Sequence, residues 1–447
     1  MCVCLYVFRV PADEAVFAFI ENVQNLCREG KLNEAIQALD FIEKQGVCVP
    51  INIYYGLIQS CMITKDVAMA REVSSSIARA GFETDGFLGS HLIHLFASCG
   101  ALEEANEVFS KVSNLTEFTW IAIISAHIKL GQYKQALKLY SDMSHSNVNQ
   151  SEFVFITALK ACASLGDLEA GQSIHGHIIE DGCESSVFIG NTLIDMYCKC
   201  GIVEEARRLF DMLPGKNSIT WSSMIGAYAQ QEQGNIAFQL YGMMHLESVI
   251  PDKISCISIL DVCADMAALI EGELVHLEVV MEAYECDDIV GTTIVSLYGR
   301  CGSLEAARSV FDKMSVRSVI TWNALIAGHA QHGNGEETLE LFNQMQDSGV
   351  IPTDVTFISV LNACSHAGLV NEGCRWFNCM GKKYGIKASV DHYGCMVDLL
   401  GRIGRVEEAE ELINIMSFQP NAVTWSTLAN AFRSTIAVNK VVVATTF

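Results

Sequence analysis

A chain of 447 residues with 52 acidic against 29 basic side chains, a formal charge of −23, does not hold nucleic acid through a broad basic surface, since that mode needs many Lys and Arg contacts to phosphate. Base-by-base readout of a single strand survives that argument. Six prolines, 50% hydrophobic residues and abundant Leu, Ala and Glu favour helices over strands, and no run reaches the roughly 18 apolar residues needed to cross a bilayer.

The opening stretch, Met1-Cys2-Val3-Cys4-Leu5-Tyr6-Val7, is apolar but short. Arg9 lies on the wrong side of it for a secretory signal, and the Ser/Arg richness of a transit peptide is missing. Import information is therefore expected to be absent from this sequence or to lie upstream of it. From about residue 16 to 433 no Pro/Gly/Ser-rich linker interrupts the chain, and a period takes over. Thr119-Trp120, Thr220-Trp221 and Thr321-Trp322 fall 101 residues apart, and Thr424-Trp425 follows after 103. Cys61, Cys162, Cys263 and Cys364 step by 101, as do Cys99, Cys200 and Cys301. Such periodicity marks an array whose units lack a core of their own and are stable only when stacked.

Each period divides into 35, 35 and 31 residues. With Trp as fourth residue of its unit, the boundaries run 16–50, 51–85, 86–116, 117–151, 152–186, 187–217, 218–252, 253–287, 288–318, 319–353, 354–389 and 390–421. A short segment, 1–15, precedes them, and 422–447 follows as a divergent extension. Within 187–217, Leu193, Ile194, Met196 and Tyr197 form one helical stripe and Val203, Ala206, Leu209 and Phe210 another, divided by the turn at Cys200-Gly201. The unit is a helical hairpin. Glycine recurs at that turn in Gly30, Gly100, Gly131, Gly166, Gly201, Gly302, Gly333, Gly368 and Gly404, where a left-handed residue ends the first helix. Pro251-Asp252 and Pro352-Thr353 close two longer units, and the residue after the proline is expected to be exposed in a loop.

Eighteen cysteines suggest a disulfide scaffold only until their period is noticed, since copies in successive repeats lie too far apart to pair with each other. They read as small buried apolar residues in a reducing compartment. The tryptophans read as core anchors. Acidic segments such as Glu103-Glu104-Ala105 and Glu204-Glu205-Ala206 read as the solvated outer face near a helix start.

These residues carry a resemblance. Ile219-Thr220-Trp221-Ser222-Ser223-Met224-Ile225, Leu159-Lys160-Ala161-Cys162-Ala163-Ser164-Leu165-Gly166 and Asn191-Thr192-Leu193-Ile194-Asp195-Met196-Tyr197 look like the standard, long and short repeats of the plant pentatricopeptide repeat proteins, in the PLS subclass that alternates the three. His392-Tyr393-Gly394-Cys395-Met396-Val397-Asp398-Leu399-Leu400-Gly401-Arg402 resembles that subclass's terminal repeats, and Ser426-Thr427-Leu428-Ala429-Asn430 the opening of a truncated E-type extension. The uniform 34-residue tetratricopeptide period does not fit.

The resemblance implies an all-α fold, a right-handed superhelical α-solenoid of helix-turn-helix repeats, binding single-stranded organellar RNA in mitochondrion or chloroplast. It implies that fifth and last residues choose a base: Asn191 with Asn217 a pyrimidine, Ser222 with Asp252 guanine, Thr292 with Ser318 adenine, and Asn323 with Thr353 a pyrimidine. Phe188, Ile219, Ile289 and Ile320 would pack against the bases, and Lys129, Lys199, Arg300 and Arg402 would touch phosphate. Short amides, hydroxyls and carboxylates suit an exposed Watson–Crick edge. In four units the fifth residue is Ile121, Ile156, Ile257 or Ile358, which cannot hydrogen-bond a base.

No enzyme is expected. A zinc deaminase needs His-x-Glu with a Cys-x-x-Cys pair; His245-Leu246-Glu247 and His276-Leu277-Glu278 supply the first half, and the chain contains no Cys-x-x-Cys. Cys198-Lys199-Cys200 and His175-Gly176-His177 lack a second ligand pair. No cofactor, metal, membrane or small-molecule substrate is expected. The leading expectation is a site-recognition factor for C-to-U editing that works beside a separate deaminase; a protein-binding scaffold and a truncated inactive copy remain open.

Overall fold

The computed structural model describes residues 12–44, 49–146, 148, 150–416, 425 and 426. Every regular element among them is a helix, and the expected all-α solenoid of helical hairpins is observed. None of these helices is long and apolar enough to cross a membrane. The expected extension, 422–447, lies outside the described residues apart from Trp425 and Ser426.

From unit 51–85 to unit 390–421 the first helix begins on the unit's first residue, as in Ile51–Thr64, Ser218–Gln230 and Val390–Arg402. The opening unit differs, because its helix Ala12–Arg28 runs across the boundary expected at residue 16. The 31-residue units owe their shortness to the second helix: Leu102–Lys111, Val203–Met212 and Leu304–Lys313 have 10 residues, against 13 in Gly234–Leu246 and Gly335–Asp347. That difference is close to one helical turn of 3.6 residues.

The hairpin turn obeys one backbone rule in all twelve units. The fifteenth residue is left-handed, with φ between 68° and 81° in the nine glycines named above. In the other three units the same place is filled by Lys65 (φ 53°), Glu232 (φ 58°) and Ala267 (φ 52°). At Gly166 the left-handed N–H donates to the carbonyl of Cys162, closing the helix end that would otherwise leave a carbonyl unpaired.

By its contacts the chain divides into two compact units, Met1–Lys216 and Asn217–Phe447. Within each, consecutive first helices pack side by side as one layer and each second helix covers its own first helix. Packing between neighbours is anchored by the periodic aromatics: the Trp120 ring meets Phe109 of the preceding repeat edge-on at 5.0 Å, and Trp322 meets Phe311 at 4.6 Å. Trp120, Trp221 and Trp322 are buried as expected, whereas Trp425 is 52% exposed. Of the two 101-residue cysteine series, Cys61, Cys162, Cys263 and Cys364 are free and buried as the sequence implied, and burial pushes the Cys162 thiol up to about 12, whereas Cys99, Cys200 and Cys301 are free but only half-buried.

Candidate nucleic-acid interface

The layer of first helices places the expected site residues at matching register positions. The second position is the clearest. In nine consecutive units Phe87, Phe118, Phe153, Phe188, Ile219, Ile254, Ile289, Ile320 and Val355 stand 50% to 73% exposed in the first turn of their helices. Four of these were anticipated (Phe188, Ile219, Ile289 and Ile320); the other five follow from the same period. Isolated exposed hydrophobics are ordinary on any surface. A large one at the same position of nine consecutive repeats is not.

One turn further along lie the fifth residues. Asn191 and Ser222 are nearly buried, Thr292 and Asn323 half-buried. The Ser222 hydroxyl turns back to the Ile219 carbonyl at 3.1 Å. Thr292 donates to the Asp288 carbonyl at 2.7 Å and meets the Thr321 hydroxyl at 2.8 Å. The Asn323 amide donates to Thr353 Oγ1 at 3.3 Å and accepts from the Thr356 hydroxyl at 2.6 Å. The fifth and last residues of unit 319–353 thus touch, and those of 288–318 meet through Thr321, which also reaches Ser318 Oγ at 3.0 Å. Asn191 belongs to the first compact unit and Asn217 opens the second.

Asp252 and Thr353 depart from the exposed loop position expected after a proline: like Asn217 and Ser318, each is the N-cap of the next first helix. The cause is the unpaired N–H groups of a helix start, which a short polar side chain satisfies. Asp252 Oδ1 takes both the Ser255 N–H and the Ser255 hydroxyl at 2.8 Å, which leaves Oδ2 unpaired among the described residues.

The expected phosphate contacts are also less free than the sequence suggested. Lys199 pairs with Asp195 at 2.8 Å, Arg402 with Asp398 at 2.8 Å, and Arg300 with Asp265. Lys129 makes no ion pair among the described residues. Such exposed pairs are worth at most about 1 kcal/mol each, so exchange of the carboxylate for another anion is inexpensive.

In the two His-x-Glu half-motifs, His245, His276 and Glu278 hold contacts within the fold. His276 Nδ1 bonds the Tyr298 hydroxyl at 2.9 Å, while Glu278 accepts from the Tyr241 hydroxyl and sits 3.4 Å from His245. His175 and His177 bond the hydroxyls of Tyr197 and Tyr140 at 2.9 and 3.0 Å. Among the described residues no group of three His, Cys, Asp or Glu is placed to hold a metal ion.

Sequence signatures described as PPR repeat match residues 118–148, 181–213, 219–249, 292–319, 355–384 and 391–417, and one described as PPR repeat family matches 317–366. A putative mitochondrial pentatricopeptide repeat-containing protein of Arabidopsis thaliana is 31% identical over 95% of this chain and 67% of its own length. This chain belongs to the pentatricopeptide repeat family. The chloroplastic pentatricopeptide repeat-containing protein CRR2 of the same plant is 36% identical over 92% of this chain, which spans 63% of that relative's length. Among solved structures, PPR10 in complex with an 18-nt psaJ RNA element superposes with a TM-score of 0.76 at 17% identity, over 94% of this chain and 62% of the other. That likeness is one of fold.

With the pentatricopeptide register fixed, two features emerge that residue-by-residue reading passed over. Arg28 occupies the thirteenth position of unit 16–50, where it is exposed and bonds Asn25 at 3.5 Å. The third position holds a fully buried hydroxyl in Thr119, Thr220, Ser255, Thr321 and Thr356. A comparison of units at matching offsets would have revealed both.

Proposed function

We propose that this chain binds single-stranded RNA in a plant organelle, one nucleotide to a repeat, with the fifth and last residues meeting the base edge. The recurrence of an exposed apolar side chain at the second position of consecutive units, within each of the two compact bodies, carries the reading. Phe and Ile at that spacing give flat apolar contacts for unstacked bases, which single-strand binders require and duplex binders do not. The polar pairs lie within a turn of those contacts. Asp252, with Oδ2 open, suits the paired donors of guanine; Asn323 with Thr353 keeps one donor and one acceptor for a pyrimidine. RNA in a relative's solved complex and the organellar names of the relatives support the same reading.

The finer proposal is a non-catalytic site-recognition factor of the PLS subclass for C-to-U editing that leaves chemistry to a separate deaminase. The 35-35-31 rhythm supports it. Loss of the protein should abolish conversion at a small set of organellar cytidines; unaltered editing throughout both organelles would remove this part while leaving RNA binding intact. The general reading is tested by measuring binding to random single-stranded RNA and to the same sequences as duplex. Tight binding to the first alone is expected, and equal binding would overturn it.

A protein-binding scaffold remains the second reading, because Ile270, Leu274, Leu277 and Met281 form a stripe 61% to 77% exposed on the helix Leu269–Met281. Replacing those four by Ser should leave RNA binding unchanged; if it abolishes organellar function as well as a protein complex, the scaffold role is the primary one.

A further inference from the structure

We infer that the buried third-position hydroxyl of a repeat, Thr356 above all, is a positioning residue that fixes which hydrogen-bonding groups the preceding repeat's fifth residue offers to a base. The inference rests on the base reading proposed above.

Thr356 Oγ1 has one proton to give and two lone pairs. The Thr353 N–H donates to it at 2.9 Å as part of the helix cap. Its own proton goes to Asn323, at 2.6 Å the shortest contact in the cluster. A separation of 2.6 Å lies inside the range for O–H···O and below that for N–H···O, so the oxygen of the Asn323 amide faces Thr356. The nitrogen then points to Thr353 Oγ1 at 3.3 Å. Thr353 is a hydroxyl that can donate or accept and tolerates either end of the amide, so Thr356 decides the orientation and leaves one N–H and one lone pair over. Without Thr356 the amide is free to turn over, and donor and acceptor exchange places.

Thr321 does the same for Thr292 by another route. The Thr292 proton is committed to the Asp288 carbonyl, so Thr321 donates to Thr292 and leaves it an acceptor only. The device depends on where the fifth side chain's polar group is turned, since Thr292 bonds the carbonyl four residues back and still meets Thr321, whereas the serines at that position bond the carbonyl three residues back. Where that side chain is serine the device fails: Ser222 and Ser90 turn back to the carbonyls of Ile219 and Phe87, while Ser255 and Thr119 hydrogen-bond their own caps, Asp252 and Thr116. Thr119 is therefore an internal control, with the same burial and the same cap but no bond to a fifth residue.

The test measures base preference at each position of a single-stranded RNA library for the wild type and for Asn323→Ala, Thr356→Val, Thr356→Ser and Thr119→Val. Asn323→Ala should erase preference at one nucleotide. Thr356→Val should lower preference at that same nucleotide by about fivefold, the worth of one oriented hydrogen bond, and Thr356→Ser should restore it. Thr119→Val should lower the melting temperature and leave every preference alone. Should Thr356→Val not fold, Thr321→Val read at the nucleotide of repeat 288–318 takes its place. Preference kept in Thr356→Val but lost in Asn323→Ala overturns the positioning role; preference kept in Asn323→Ala overturns the base reading itself.

Discussion

The hairpin turn gives the most direct test of the repeat geometry. Nine of the twelve fifteenth residues are glycine, yet Lys65, Glu232 and Ala267 hold the same left-handed backbone. A residue with a Cβ loses about 1 to 2 kcal/mol in that region, and the greater freedom of glycine in the unfolded chain offsets about 0.5 to 1 of it. Each change to glycine should therefore stabilise by about 0.5 to 1 kcal/mol. In a body the size of the second compact unit, 1 kcal/mol moves the unfolding midpoint by about 2 to 4 °C, so Glu232→Gly and Ala267→Gly should each raise it by about 1 to 4 °C. Their effects should add. Gly166→Ala should lower stability by a similar amount in the first unit; a Cβ there would meet nothing within 4 Å, so the loss is purely conformational. Thermal melts followed by circular dichroism measure all three. A lower midpoint for Ala267→Gly together with a higher one for Gly166→Ala would refute the argument.

Packing of the first helices predicts opposite signs for one substitution at two places. A Cβ on Gly328 would lie 2.7 Å from the Gly299 Cα of the neighbouring helix, whereas one on Gly226 would meet only Ser258 Oγ at 3.5 Å. Gly328→Ala should destabilise by about 1 to 3 kcal/mol and Gly226→Ala should stabilise by up to about 1, as denaturant midpoints would show. Acid sensitivity is expected at the last hairpin. His392 is fully buried; its Nδ1 accepts from the Ser389 N–H at 3.1 Å, so Nε2 carries the proton and donates to the Asp354 carbonyl at 3.0 Å. Burial holds its pKa below the usual imidazole range. The unfolded chain therefore takes up the proton first, and stability present above about pH 6.5 is lost as pH falls through it. His392→Gln should flatten that part of the melting-temperature profile, and an unchanged slope would contradict it. Salt should weaken RNA binding only modestly. With about four phosphate contacts the slope of log K against log salt is about −3, and titration from low to high salt would expose a steeper, broadly basic mode.

Much of this architecture is legible in the sequence because repetition multiplies every signal. Trp120, Trp221 and Trp322 fix the register, and the nine glycines then fall on the hairpin turn without exception. Lys65, Glu232 and Ala267 adopt the same backbone only because their neighbours impose it; nothing in their own side chains announces it. The candidate site was less legible. Asp252 and Thr353 look like free loop residues after a proline, but a proline that ends one helix also sets the cap of the next. Lys199, Arg300 and Arg402 look like free cations, but Asp195 and Asp398 sit one helical turn away on the same helix as Lys199 and Arg402, and Asp265 reaches Arg300 from the neighbouring repeat. The Asn323, Thr353 and Thr356 cluster joins three residues of two repeats, so it emerges only once the helices are packed.

The central claim is that successive repeats meet successive bases. Selection from a fully randomised single-stranded RNA pool, read position by position, tests it most directly. Across the four repeats spanning 218–353 the account expects guanine, then any base opposite the apolar Ile257, then adenine, then a pyrimidine, at four adjacent nucleotides. Flat preference at all four, or the same four bases retained when the strand is paired in a duplex, would contradict it.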